Sequence, residues 1–153
     1  MVSWMSDVQR EPADQDSELI DLPAAHLAWN RSERDFWFHY TERSAARAIA
    51  ATRSYKVSER HRKAPGLYVT PLHPGACSCA ELLNQLFDGT RDIERTQAAI
   101  VLADGPLEFV RKDASVWCHS VPGGTELDLR AQLVGWAAKE DGKWLYSGTL
   151  YLP

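Results

Sequence analysis

The spacing of apolar positions alternates between two periods in the first half of the chain and settles on one in the second. "RDFWFHY" (Arg34–Tyr40) is a compact aromatic run behind charged residues and predicts a strand. Thr41 is placed to N-cap the next segment as a helix, with Glu42 in the first turn, where the helix dipole favours an acid. Ala45, Ala46, Ile49 and Ala50 share one helical face, and the helix is expected to end near Ser54. "KVSERHRKAP" (56–65) reads as a charged loop, and "GLYVT" (66–70) as a short strand bounded by Gly66, Pro71 and Pro74. In "SCAELLNQLFDG" (78–89), Ser78 and Glu81 have capping-box spacing. Leu82, Leu83, Leu86 and Phe87 form an apolar stripe there, and Gly89 supplies a C-terminal stop.

Beyond residue 97 the pattern is β throughout. "AAIVLA", "LEFVR", "SVWCHSV", "AQLVGWAA" and "WLYSGTLYL" are separated by "DG", "KDA", "PGGTE" and "EDG" turns. The order strand, helix, strand, helix and then strands predicts an α+β domain, with two small sheets rather than one parallel sheet. Residues 1–22 are rich in Asp, Glu, Gln and Ser without a clear period, and read as a flexible leader or a loosely docked arm ahead of a domain over 23–153. "LPAAHLAWN" (22–30) fits a short helix or an extended packing segment.

Composition narrows the classes. A chain of 153 residues with net charge −4 is one domain, and its overall balance demands neither nucleic acid nor membrane. No apolar run is long enough to cross a bilayer, and the N-terminus lacks the apolar core of a signal peptide, so a cytoplasmic protein is expected. Cys77, Cys79 and Cys118 are an odd set, which argues against a disulfide scaffold. With His73 and His119 they invite a metal reading, but Cys-x-Cys is tight for zinc and paired Cys-x-x-Cys ligands are absent, so no metal is expected. Trp117, Trp136 and Trp144 have strand spacing and read as core.

His39 is the anomaly, because an ordinary core strand would carry Val or Ile there. Alone it reads as a satisfied core histidine. Together, His39-Tyr40-Thr41 closing a strand, the helix with "AARAIA", the charged loop, and Gly66-Leu67-Tyr68-Val69-Thr70 before Pro71 and Pro74 resemble one family. This is the ADP-ribosyltransferase family, in its bacterial polymorphic-toxin class with a His-Tyr-Asp signature. "VPGGTELDL" is similar to a further segment of that class, and the resemblance covers roughly residues 36–135. It implies a split β-sandwich, two small sheets flanking an NAD cleft.

The resemblance also implies roles. Cleaving the nicotinamide–ribose bond of NAD passes through an oxocarbenium-like transition state, as in glycoside hydrolysis. His39 would hold the adenosine-side ribose. The Tyr40 backbone would pair with the nicotinamide carboxamide, its ring adding a wall, and Thr41 would adjoin the same site. Tyr68 would stack on nicotinamide, and Gly66 would let the backbone pass close to the ligand. Asp128 in "ELDL" would stabilise the developing cation, with Glu126 as substitute or acceptor-orienting partner and Asp113 as a third candidate. The read-alone alternative is that such acids are solvated turn residues. Arg60 and Arg62, in "RHRK" before the Tyr68 strand, would neutralise the NAD pyrophosphate or dock an acceptor, with a solvated loop as the plain alternative; Arg53 and Lys56 could extend the patch. The implied activity is mono-ADP-ribosyl transfer from NAD to a protein or nucleic-acid acceptor, as a toxin or effector delivered into a target cell or as an intracellular modifier. NAD glycohydrolysis or modification of a small molecule such as an antibiotic, and a catalytically inactive NAD or ADP-ribose-binding module, are the alternatives.

Overall fold

The computed structural model describes residues 19–21, 36–59, 64–75, 78–86 and 93–148. Ten strands are present among them: β1 (Ile20–Asp21), β2 (Phe36–Thr41), β3 (Ser54–Lys56), β4 (Gly66–Val69), β5 (Ala98–Ala103), β6 (Val110–Asp113), β7 (Val116–Ser120), β8 (Glu126–Asp128), β9 (Leu133–Glu140) and β10 (Lys143–Gly148). Two α-helices, α1 (Arg43–Thr52) and α2 (Cys79–Leu86), and a 3₁₀ turn, η1 (Ile93–Thr96), complete the described elements. The strands form a five-stranded sheet in the order β1-β10-β9-β5-β2, a three-stranded sheet β4-β7-β6 and a two-stranded ribbon β3-β8. Every pairing is antiparallel. The fold is α+β, as the pattern predicted.

β5 explains the arrangement of the core. All six of its residues are buried, because both faces of the large sheet are covered. Ala99, Val101 and Ala103 face one cluster, with Phe36, Phe38, Tyr40, Tyr146 and Leu82 of α2. Ala98, Ile100 and Leu102 face the other, with Ala46 of α1, Leu67 and Val69 of β4, Leu127 of β8 and Trp136 of β9. A strand covered on both sides has no polar face to alternate, so its sequence is a continuous apolar run.

Local chemistry sets most boundaries. At α2, the Glu81 amide donates to Ser78 Oγ (3.1 Å) and the Ser78 amide to Glu81 Oε1 (3.1 Å), so the capping box forms. The predicted stop at Gly89 lies outside the described residues. α1 departs from expectation at both ends. Thr41 belongs to β2, and Glu42 is the N-cap without a side-chain cap bond. The helix stops at Thr52 because Arg53 turns left-handed (φ 57°, ψ 35°), its amide reaching Ile49 O at 2.7 Å. The "EDG" turn is a two-residue hairpin between Glu140 and Lys143, with positive φ at Asp141 and Gly142. "LEFVR" becomes a strand only from Val110. The buried Gln132 holds the preceding bend, its Oε1 accepting from the Leu107 amide (2.7 Å) and its Nε2 donating to Ala103 O (3.1 Å).

The leader expectation needs correcting where the structure describes it. Ile20 and Asp21 pair with Tyr146 and Leu145. Ile20 packs on the Phe38 cluster and Leu19 on the opposite one. Ile20 and Asp21 are therefore part of the large sheet, since the apolar side chains of Leu19 and Ile20 are part-buried while main-chain groups of the sheet edge are paired.

Candidate functional site

Among the described residues, the two larger sheets share main-chain pairing at one place. Phe38 and Thr70 exchange both main-chain hydrogen bonds (2.8 and 2.9 Å), and the ladder between β2 and β4 stops after that pair. In an antiparallel ladder, every second residue turns its N–H and C=O to the same neighbour. Tyr40 and Tyr68, each two residues from the bridge, therefore direct their main-chain groups across the place where the strands part. There the imidazole of His39 intervenes, its Nδ1 2.7 Å from Tyr68 O.

That bond assigns the tautomer. A carbonyl only accepts, so Nδ1 carries the proton and Nε2 of the neutral ring is an acceptor. His39 is half-buried as a residue, yet its ring is enclosed deeply enough that desolvation drives its pKa below the ordinary histidine value. The bond to Tyr68 opposes this, and the positive charge of Arg95 reinforces it. The ring of Tyr55 meets His39 edge-on, with centroids 5.0 Å apart and planes at 68°. Burial raises the Tyr55 phenol pKa above its usual value, while Arg95 pulls it down and Cys118 pushes it up.

The structure brings two of the resemblance-derived residues, His39 and Tyr68, together through the Tyr68 carbonyl. The Tyr68 hydroxyl donates to Ala64 O, and burial raises its phenol pKa, with Cys118 adding to the effect. Tyr68 pairs with Cys118 on β7, whereas its neighbours Leu67 and Val69 face the Trp136 cluster. Tyr40 supplies main chain, not a wall. Its ring is buried in the Phe38 cluster, its hydroxyl donates to Leu72 O at 2.8 Å, and its edge meets Trp144. Thr41 is half-buried and pairs with Ala98. The close approach at Gly66 is made by β7: a Cβ there would lie 2.5 Å from both Cys118 Sγ and His119 O. Arg60 and Arg62 lie outside the described residues, as does Cys77.

The acids sit apart from the histidine. In the β3-β8 ribbon, Tyr55 pairs with the buried Leu127, while Ser54 and Lys56 pair with Asp128 and Glu126. Paired residues share a face and successive residues alternate, so Asp128 and Glu126 project from the face opposite Tyr55. Arg130 grips the Asp128 carboxylate through Nε (3.0 Å), Nη2 (2.7 Å) and its main-chain N–H (3.0 Å). These bonds depress the Asp128 pKa to about 2. Glu126 Oε1 accepts from Ser54 Oγ at 2.8 Å. Asp113 is on β6, separated from β4 by β7, and accepts from the Ala114 amide at 2.7 Å.

Two residues that sequence reasoning passed over join the site. Tyr55 lies in "SYK", a strand too short to register as a period, between the helix and the charged loop. Arg95 sits in a 3₁₀ turn that carries no pattern of its own. Among the described residues no group of three or more His, Cys, Asp or Glu is placed to hold a metal ion, and no helix is long and apolar enough to cross a membrane. Comparison with known protein families, curated proteins and solved structures returns no match.

Proposed function

We propose that the chain is a mono-ADP-ribosyltransferase with an ADP-ribosyltransferase-like split β-sandwich. It would take NAD as donor, release nicotinamide and act in the cytoplasm, its own or that of a target cell, on a protein or nucleic-acid acceptor. The observation that carries the reading is His39 at the parting of β2 and β4, its pKa lowered by burial. It is held by the Tyr68 carbonyl, with Nε2 an acceptor for a ribose hydroxyl. Around it stand the main-chain groups of Tyr40 and Tyr68 and the ring of Tyr55, polar partners and an aromatic edge suited to a carboxamide-bearing heterocycle. Among the three acids, Asp128 keeps the cation-stabilising role. Its depressed pKa leaves it ionised at any working pH.

One observation favours a second reading, a non-catalytic NAD or ADP-ribose-binding module: Asp128 and Glu126 occupy the ribbon face turned away from Tyr55 and are bonded to Arg130 and Ser54. Incubation with NAD and measurement of free nicotinamide separates the two. Release that needs an added lysate, with label from NAD appearing on a macromolecule, supports the transferase. Release with water alone makes the protein a glycohydrolase, and binding without release makes it the module. Absence of NAD binding overturns all three.

A further inference from the structure

We propose that the Tyr55 hydroxyl and His39 Nε2 form a diol-binding pair: the imidazole accepts from one hydroxyl of a ribose and the phenol donates to its neighbour, so that the site selects a ribonucleotide over its deoxy counterpart. The inference rests on the NAD reading above.

Of the four described tyrosines, three commit the hydroxyl to a main-chain carbonyl: Tyr40 to Leu72 O (2.8 Å), Tyr68 to Ala64 O and Tyr146 to Val134 O (3.2 Å). The Tyr55 hydroxyl bonds to no described residue, although its ring is half-buried and packs against the Trp136 cluster. A buried phenol ordinarily finds a partner. The other open polar atom stands beside it. The His39 imidazole uses Nδ1 on Tyr68 O, and its Nε2 meets no described residue. The two rings meet edge-on with centroids 5.0 Å apart. Each free atom lies in its ring or one bond beyond it, so rings in contact bring both within the reach of one sugar.

The rings come from different layers. His39 pairs with Ile100, whose side chain faces the Trp136 cluster, so the imidazole projects to that side of the large sheet. Tyr55 reaches the same cluster from the β3-β8 ribbon, where it pairs with the buried Leu127. The ribbon is tied down on both sides of Tyr55: the Leu129 amide donates to Arg53 O (2.8 Å) and the Val57 amide to Thr125 O (2.8 Å). A hydroxyl held on such a frame is offered to a ligand at little ordering cost. Burial raises the phenol pKa, with Arg95 opposing and Cys118 adding, so at neutral pH the hydroxyl keeps the proton it donates. A ribose presents two adjacent hydroxyls, each able to donate and to accept. An accepting ring nitrogen and a donating phenol match that pair, and a deoxyribose leaves one of them unmatched.

Calorimetry with NAD and with its analogues lacking the 2′- or the 3′-hydroxyl of the adenosine ribose, on the wild type and on Tyr55→Phe, tests this. The wild type is expected to bind NAD at least about tenfold more tightly than either analogue, the scale of one bond left unmatched. Tyr55→Phe keeps the ring beside His39 and removes a hydroxyl that bonds to no described residue, so it should melt like the wild type. It should lose at least about tenfold for NAD, yet bind one of the two analogues as tightly as the wild type does, because the hydroxyl that meets the phenol is already absent from it. Equal wild-type affinity for NAD and either analogue, unchanged NAD affinity in Tyr55→Phe, or an equal loss in Tyr55→Phe for all three ligands overturns the inference while the NAD reading stands. A large fall in the melting temperature of Tyr55→Phe would show the hydroxyl already used within the protein, with the same consequence. Failure of the wild type to bind NAD overturns the NAD reading, and this inference with it.

Discussion

Replacing His39 with Asn and with Gln separates its two nitrogens. An Asn amide occupies the position of Nδ1 and can still donate to Tyr68 O, whereas a Gln amide extends to the position of Nε2. The bond at 2.7 Å is short and partly buried, and its loss is on the order of 1–3 kcal/mol. The edge contact with Tyr55 is lost in both variants, about 0.5–1.5 kcal/mol. His39→Asn should therefore keep the Tyr68 bond and lose only the edge contact, about 0.5–1.5 kcal/mol of stability at neutral pH, but lose the ribose acceptor, and with it at least about tenfold in NAD affinity. His39→Gln should lose the Tyr68 bond and melt lower, by about 2–4 °C for each kcal/mol in a domain of this size.

The two also differ from the wild type in acid. The His39 pKa is lower in the folded than in the unfolded chain, chiefly by desolvation. Below an unfolded value near 6.5, protons bind the unfolded state preferentially. The stability held by the neutral ring is complete above that value and lost as pH falls toward the folded one, with a slope of at most about 1.4 kcal/mol per pH unit. Both variants lack this loss, so their urea midpoints between pH 6.5 and 5 should fall less steeply than that of the wild type. An acid limb for His39→Asn parallel to the wild type would show that the folded histidine is not held neutral. Unchanged stability in His39→Gln would show that the Tyr68 carbonyl does not depend on Nδ1.

Three further outcomes are expected. Gly66→Ala should destabilise by about 1–3 kcal/mol in urea denaturation, because the added Cβ meets the His119 carbonyl and not only the Cys118 thiol; a neutral result would mean that β7 yields easily. A chain starting at residue 22 should be less stable than one starting at residue 19 by about 1–3 kcal/mol, from the part-burial of Leu19 and Ile20 against the two cores, and equal melting temperatures would place β1 outside the cooperative fold. Asp128→Asn should leave NAD affinity nearly unchanged and lower nicotinamide release by about a hundredfold. It should also abolish whatever acid loss Asp128 causes as pH falls from about 3.8 toward 2. Unaltered release would move the charge-stabilising role to another acid or favour the binding module.

How much of this was legible depended on how far each signal extends along the chain. α2 was readable because its cap, stripe and spacing are local and agree, and both capping bonds form. The continuous apolar run of β5 announced a strand, but not that it would be central with two covered faces. Thr41 misled because a good capping residue also suits a strand, and pairing with Ala98 prevailed. The leader misled in the opposite way: its polar composition hid two apolar residues whose value depends on an edge strand more than 120 residues later. At the site, His39 and Tyr68 were singled out, but the relation between them is a ring nitrogen and a carbonyl, which no residue pattern encodes. Tyr55 and Arg95 join His39 only through tertiary packing.

The parting of β2 from β4 gives the histidine a physical reason. With Phe38 bonded to Thr70, continuation of the ladder would bring the Tyr40 N–H to the Tyr68 carbonyl. That carbonyl already accepts from His39 Nδ1. The imidazole thus stands in for the next main-chain donor. A Val or Ile at this position would present no donor and bury more apolar surface against Tyr55 and the Trp136 cluster. That loss of a donor would leave the Tyr68 carbonyl to find another partner, while the imidazole carries the desolvation seen in its lowered pKa. A polar ring held in a strand at a desolvation cost is the kind of local conflict that marks a functional position. The conflict falls at the point where, among the described residues, β2 and β4 separate. For that reason, the functional reading rests on His39 in its structural setting more than on any of the acids.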